Sequence, residues 1–247
     1  MNSESSDTEI FSLEFKVIVV GNAGVGKTSL IRRYCETEFG QEYKQTIGLD
    51  FYSKKVDLPR HQQVLLQIWD IGGQQNNGAM IKNYIMGAHA VCFVYDVTNA
   101  SSFKDVESWR SCVYEALSEQ RQQKSSVETV QKGREKGNKD PLMILVGNKT
   151  DLPNRQVTTA AHEKFAAQQK MLSCFVSARS GERINGLFTR LASQLADIPV
   201  PQQDVGLEDR VVANVDSNPE ERVGVANSMK ESNKNSSRKN KDGCALM

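Results

Sequence analysis

No stretch of this sequence approaches the ~20 consecutive apolar residues of a membrane-spanning helix, so a helical integral membrane protein is not expected. An excess charge of either sign is missing as well. Lys and Arg total 31 against 30 Asp and Glu, a formal net charge of +1. That balance argues against nucleic acid as a main ligand, because binding to a phosphate backbone needs a clear basic excess. Histidine is scarce, and His61, His89 and His162 lie near no other ligand-type residues, which speaks against a histidine metal centre. The five cysteines (Cys35, Cys92, Cys112, Cys174 and Cys244) are odd in number and show no CxxC pairing. In a chain of this length they exclude a disulfide-stapled scaffold and point to a reducing, cytoplasmic compartment. The opening residues 1–12 are polar and acidic, so no signal peptide is expected, and Asn2 gives no site for N-myristoylation.

What is present suits one globular domain with polar extensions. Hydrophobic residues make up 38% of the 247, enough for a single good core. Three short apolar runs, Phe15–Val20, Ala90–Tyr95 and Leu142–Val146, read as strands buried on both faces, as in a parallel sheet covered by helices. Phe51–Leu58 and Val64–Trp69 mix polar and apolar positions and predict a hairpin-like pair across residues 59–63, with Leu172–Val176 a sixth strand. Helical spacing follows in Ser29–Phe39, Ser102–Glu119, Thr159–Lys170 and Ile184–Leu195. Strand alternating with helix predicts an α/β, doubly wound, six-stranded and mostly parallel sheet, with ligands at the carboxyl ends of its strands. Residues 119–140 have almost nothing to bury and are expected to be a mobile insertion. The predicted organisation is a disordered segment over 1–12, a domain over 13–197 and a disordered tail over 198–247.

The chemistry begins where the first strand ends. Gly21-Asn22-Ala23-Gly24-Val25-Gly26-Lys27-Thr28, then Ser29, fits GxxxxGK[ST] between a strand and a helix. Its glycines let successive backbone N–H groups turn towards phosphates, and the following helix adds its positive end. Lys27 brings a point charge, and the Thr28 hydroxyl is a hard oxygen suited to Mg²⁺. This loop alone leaves ATPases, kinases and GTPases open. Asn148-Lys149-Thr150-Asp151 after the fifth strand narrows the choice, because the Asp151 carboxylate can accept from both N1–H and the exocyclic amine of guanine. Adenine has no such donor pair and would leave the carboxylate unpaired. Ser177-Ala178-Arg179 follows the next strand, where a backbone N–H can meet the guanine carbonyl.

With GNAGVGKT, QTIGLDF, WDIGGQ, NKTD and SAR in this order, the chain resembles Ras-like small GTPases over roughly residues 13–197. Within that class QTIGLDF, LQIWDIGGQ, YIMGAHA and YDVTNASSF resemble the Rab family, in a divergent form. The resemblance implies hydrolysis of GTP to GDP with Mg²⁺, in a switch serving vesicle-mediated protein transport. It implies that Thr46 ligates Mg²⁺ and senses the γ-phosphate, and that Asp70 holds the metal. It further implies that the Gly73 N–H contacts the γ-phosphate, that Gln74 orients the attacking water and that Phe39 stacks on guanine, or else ends its helix in the core. Lys27 and Gln74 are thus the expected catalytic pair, without an arginine finger. The segments near 40–49 and 72–85 would order with the γ-phosphate and be read by an exchange factor, an activating protein and effectors. Phe51, Trp69 and Tyr84 either present an effector surface or bury the strand pair. Ala23, Ile71-Gly72 and Gln75-Asn76-Asn77 depart from the family pattern and keep open a second reading, a GTP-binding scaffold with negligible turnover.

Cys244-Ala245-Leu246-Met247 fits a C-a-a-X prenylation signal, with Met favouring farnesyl. It implies a prenyltransferase as partner and reversible attachment to the cytosolic face of endomembranes or the plasma membrane. One prenyl chain binds weakly, so a second signal is needed. Lys230, Lys234, Arg238, Lys239 and Lys241 could supply it, diminished by Glu231 and Asp242.

Overall fold

A computed structural model describes residues 13–36, 46, 48–60, 62–73, 78–127 and 140–199. The chain divides into two units, Met1–Asp209 and Arg210–Met247, and every described residue belongs to the first. Six strands form one sheet in the order β2-β3-β1-β4-β5-β6. They are β1 (Leu13–Val20), β2 (Leu49–Leu58), β3 (Gln62–Ile71), β4 (Ala90–Asp96), β5 (Leu142–Asn148) and β6 (Leu172–Phe175). Only the β2–β3 pair is antiparallel, joined through the turn at Pro59 and Arg60. The remaining neighbours run parallel. This is the doubly wound, mostly parallel α/β architecture that the strand–helix alternation predicts.

The helices are α1 (Lys27–Glu36), α2 (Gly78–Tyr84), α3 (Ala100–Lys104), α4 (Val106–Val127), α5 (Thr159–Gln168) and α6 (Ile184–Ala196). Side chains alternate across the pleat, so β1 sends Val17 and Val19 to one core and Ile18 and Val20 to the other. The first core is closed by Leu30 and Ile31 of α1 with Ile184, Leu187, Phe188 and Leu191 of α6. Tyr34 stacks on Phe188 there at 4.0 Å. The second core is closed by Ile81 of α2, by Trp109, Val113 and Leu117 of α4, and by Ala166 of α5. Every residue of β4 is buried, which explains the unbroken apolar run over Ala90–Tyr95.

Two expectations change. The helix predicted over Ser102–Glu119 is two helices, broken at Asp105, with Asn99 capping the first through Ser101 and Ser102 N–H groups. The first part of the segment predicted as an insertion from residue 119 is helical, since α4 continues to Val127. Its Gln, Glu, Lys and Arg residues are good helix formers even without a face to bury, and Lys82 of α2 ties down Glu115 and Glu119 at 3.2 and 2.7 Å. Residues 128–139 lie outside the described ones, as do the segments 1–12 and 200–247 of the predicted extensions.

Candidate nucleotide site

The loop between β1 and α1 sits at the carboxyl ends of β1, β4 and β5, where this architecture places ligands. Gly24 and Gly26 take positive φ of 76° and 93°, a backbone conformation that lets the loop curl. At Gly26 a side chain is also excluded by space, because a Cβ would come within 2.5 Å of the Asn148 amide nitrogen. Ala23 and Gly24 are exposed, Val25 is buried, and Thr28 and Ser29 are half-buried on the first turn of α1. Lys27 is 6% exposed. Its ammonium donates to the carbonyls of Gly21 (2.8 Å) and Asn22 (3.0 Å). Burial lowers its pKa to about 8 against the opposing pull of Asp70. An anionic phosphate oxygen beside it would offset that desolvation.

A cluster of hard oxygens lies next to the lysine. The Thr28 hydroxyl is 2.8 Å from the Thr46 hydroxyl and donates to Asp70 Oδ2. Asp70 is fully buried, and its other oxygen, Oδ1, has no hydrogen-bond partner. Burial raises the carboxyl above its usual range, while the Thr28 hydroxyl and the Lys27 charge pull it down. A buried carboxylate with an unpartnered oxygen, flanked by two hydroxyls, suits Mg²⁺ held partly by phosphate oxygens. The described residues contain no group of three His, Cys, Asp or Glu that could form an all-protein cage. Gly72 permits the approach of Thr46: a Cβ there would lie 2.7 Å from the Thr46 carbonyl oxygen, and the Gly72 N–H donates to Gly48 at 2.9 Å. Gly73 rests on the loop itself, its carbonyl accepting from Ala23 N at 3.0 Å.

Asn148 joins this phosphate region to the candidate base pocket. It is fully buried. Its amide donates to the Val25 carbonyl at 2.9 Å, and its Oδ1 accepts from the N–H groups of Lys149 (2.8 Å) and Ala178 (3.0 Å). Asp151 accepts from Ser177 Oγ at 2.7 Å, and Arg179 approaches its other oxygen at 3.9 Å. The NKTD and SAR segments are therefore one structural unit, with Asp151 still partly exposed. Lys149 adopts the left-handed conformation at φ 67° and pairs with Asp96 at 2.7 Å.

The structure brings together Asn22, Ala23, Gly24, Val25, Gly26, Lys27, Thr28, Ser29, Thr46, Asp70 and Gly73 around the loop. Asn148, Lys149, Asp151, Ser177, Ala178 and Arg179 gather beside it. The expected roles of Phe39, Gln74 and Cys244 lie outside the described residues. Sequence reasoning missed Asp96, although it ends β4 on the ligand side of the sheet, a position that could have singled it out.

The sequence profile of the Ras family matches residues 16–197. The chain belongs to the Ras family of small GTPases. Ras-related protein Rab-28 of Caenorhabditis elegans is 37% identical over 199 residues, spanning 80% of this chain and 73% of that protein. The GTPase is accordingly Rab-like, a GTP-binding switch that hydrolyses GTP, in a family that binds GTP and GDP and generally Mg²⁺. No described helix is long and apolar enough to cross a membrane.

Proposed function

We propose that this GTPase is a Rab-type switch in vesicle-mediated protein transport, reading GTP against GDP through Thr46 and Gly73. The observation that carries the reading is the cluster of Thr28, Thr46 and Asp70 beside the buried Lys27. Lys27 would neutralise β- and γ-phosphate charge, and the N–H groups of residues 24–28 would cradle the phosphates. Thr28 and Thr46 would hold Mg²⁺ with Asp70 behind them, and the ion supplies charge neutralisation on the phosphate oxygens. Gln74 would orient the attacking water. Asp151 would accept from guanine N1–H and its exocyclic amine, and a backbone N–H of the 177–179 segment would meet the guanine carbonyl.

Phosphoryl transfer asks a protein mainly to position water and to stabilise charge. No arginine is assigned to the transferred phosphate, and such a residue contributes on the order of 10³–10⁵ in rate. Intrinsic hydrolysis is therefore slow, and an activating protein supplies the remainder. An exchange factor and effectors would act on the switch segments. Phe51 supports an effector surface over a purely packing role, since it is 54% exposed while its ring meets Trp69 edge-on at 5.6 Å. Tyr84 completes the aromatic group 5.7 Å beyond Trp69. Prenylation of Cys244 by a prenyltransferase would give reversible attachment to the cytosolic face of a membrane, aided by the nearby lysines.

The test is to release and identify the nucleotide bound to the purified protein, then to follow phosphate release in a single turnover. Guanine nucleotide with slow intrinsic release is the expected result. Adenine nucleotide, or fast release without any activating protein, would contradict the proposal.

A further inference from the structure

Asn22 makes contacts in two directions. Its side chain reaches the junction between α3 and α4, where Oδ1 accepts from Trp109 Nε1 at 2.7 Å and Nδ2 donates to Asp105 Oδ2 at 2.7 Å. Its main chain serves the phosphate loop. The Asn22 carbonyl accepts from the Lys27 ammonium at 3.0 Å. The next N–H, that of Ala23, donates to the Gly73 carbonyl at 3.0 Å. The peptide between Asn22 and Ala23 is also the surface on which Gly73 rests: a Cβ at Gly73 would lie 2.2 Å from Ala23 N and 2.3 Å from Asn22 C. Because Ala23 N–H is bonded to the Gly73 carbonyl, a shift in that peptide carries Gly73 with it.

We infer that Asn22 is a positioning residue whose side chain, clamped by Trp109 and Asp105, sets the Asn22–Ala23 peptide and thereby how well the site distinguishes a nucleoside triphosphate from a diphosphate. The inference rests on the nucleotide-site reading above, in which Gly73 and Lys27 face the terminal phosphates. Only a carboxamide suits the clamp. The indole N–H is a donor and requires an acceptor, whereas the Asp105 carboxylate is an acceptor and requires a donor. An aspartate at 22 would satisfy the indole but place two carboxylates against each other with no donor between them. Trp109 is 8% exposed, so its N–H has little access to water as a replacement. The helix α4 thus acts on the phosphates without touching them.

The test uses the full-length chain and compares Asn22→Asp, the double variant Asn22→Asp/Asp105→Asn, and Trp109→Phe. Release rates of fluorescent GDP and of a non-hydrolysable fluorescent GTP analogue are measured for each with Mg²⁺, alongside thermal unfolding. Asn22→Asp is expected to raise the ratio of GTP-analogue release to GDP release by about tenfold, the size of one buried hydrogen bond lost to a charged partner. The double variant restores the donor–acceptor pairing with the two groups exchanged and should return the ratio to within about threefold of wild type. Trp109→Phe keeps an aromatic ring but removes the donor together with part of the buried indole, and should raise the ratio a few-fold. An unchanged ratio in Asn22→Asp, or equal acceleration of both releases that Asp105→Asn does not reverse, would overturn the inference. If Asn22→Asp does not fold, the ratio in Trp109→Phe decides alone, and a wild-type value rejects the clamp. A wild-type protein that binds neither guanine nucleotide would instead remove the nucleotide-site reading itself.

Discussion

Replacing Asn148 with Ala tests whether the phosphate loop and the base pocket are one unit. In the native chain a single carboxamide donates to the Val25 carbonyl at 2.9 Å and accepts from Ala178 N–H at 3.0 Å. Val25 and Ala178 are 2% and 4% exposed. Truncation leaves the Val25 carbonyl and the Ala178 N–H without partners in a place poorly reached by water, and also frees the less deeply buried Lys149 N–H. Each of the first two groups costs about 1–3 kcal/mol, so Asn148→Ala should lose about 2–6 kcal/mol of unfolding free energy. Against the ~5–15 kcal/mol of a typical domain this is a large fraction. Asn148→Asp should do no better. It keeps an acceptor for Ala178 but turns a carboxylate towards the Val25 carbonyl, which has nothing to donate.

Urea unfolding of wild type and variant at matched saturating GDP, with midpoint and slope both recorded, measures the loss. GDP release is followed on the same samples. It should accelerate, because Val25 belongs to the phosphate loop and Ala178 to the base pocket, and both lose their tether. A variant within about 0.5 kcal/mol of wild type, the scatter of ordinary surface substitutions, and with unchanged GDP release, would refute this reasoning.

Four further outcomes follow from the same geometry. Asp151→Asn should weaken GDP by roughly tenfold to hundredfold while leaving ADP binding as weak as before, since only guanine offers the donor pair; competition binding checks it. Gly72→Ala sets a methyl 2.7 Å from the Thr46 carbonyl oxygen and should lower affinity for a GTP analogue more than for GDP, as read by titration with Mg²⁺. His162 is fully buried, hydrogen-bonded to Tyr95 and Ser173, and held down to about 4 by burial. The unfolded chain takes up that proton near pH 6.5. Stability therefore falls as pH falls between 6.5 and 4, by up to about 3 kcal/mol, and His162→Gln should remove this part of the slope in urea unfolding at stepped pH. Finally, Cys244→Ser should abolish association with anionic vesicles in sedimentation of protein expressed in eukaryotic cells, and unchanged association would reject the anchor.

The parts of this molecule that were legible in the sequence are those whose meaning is local. The glycine loop, the NKTD segment and the buried run of β4 each carry their signal within about eight residues, and the strand–helix alternation orders them. Three features were less accessible. Helix α2 spans only Gly78–Tyr84 and has too few turns to show a period. The break at Asp105 lies in an otherwise regular helical pattern and follows from the capping of α3. The continuation of α4 to Val127 depends on helix propensity without an apolar face, which periodicity does not detect. Trp109 was legible as a buried helix position, but its indole N–H partner is 87 residues away.

That partner shares a chemical identity with the residue that ties the two halves of the site. Asn22 and Asn148 are both carboxamides, and each accepts from a donor and donates to an acceptor that lie far from it in sequence. A carboxylate at either place would add negative charge close to a loop built to receive phosphate, and would lack the donor each position uses. A hydroxyl is too short to reach two partners on opposite sides. The neutral, two-sided amide holds the loop without adding a further negative charge beside Lys27 and the loop N–H groups. On this argument Asn148→Asp and Asn22→Asp should both slow GDP association at low ionic strength as well as hasten its release, and the slowing should fade with added salt. A salt-independent association rate in both variants would mean that the amides act through shape alone.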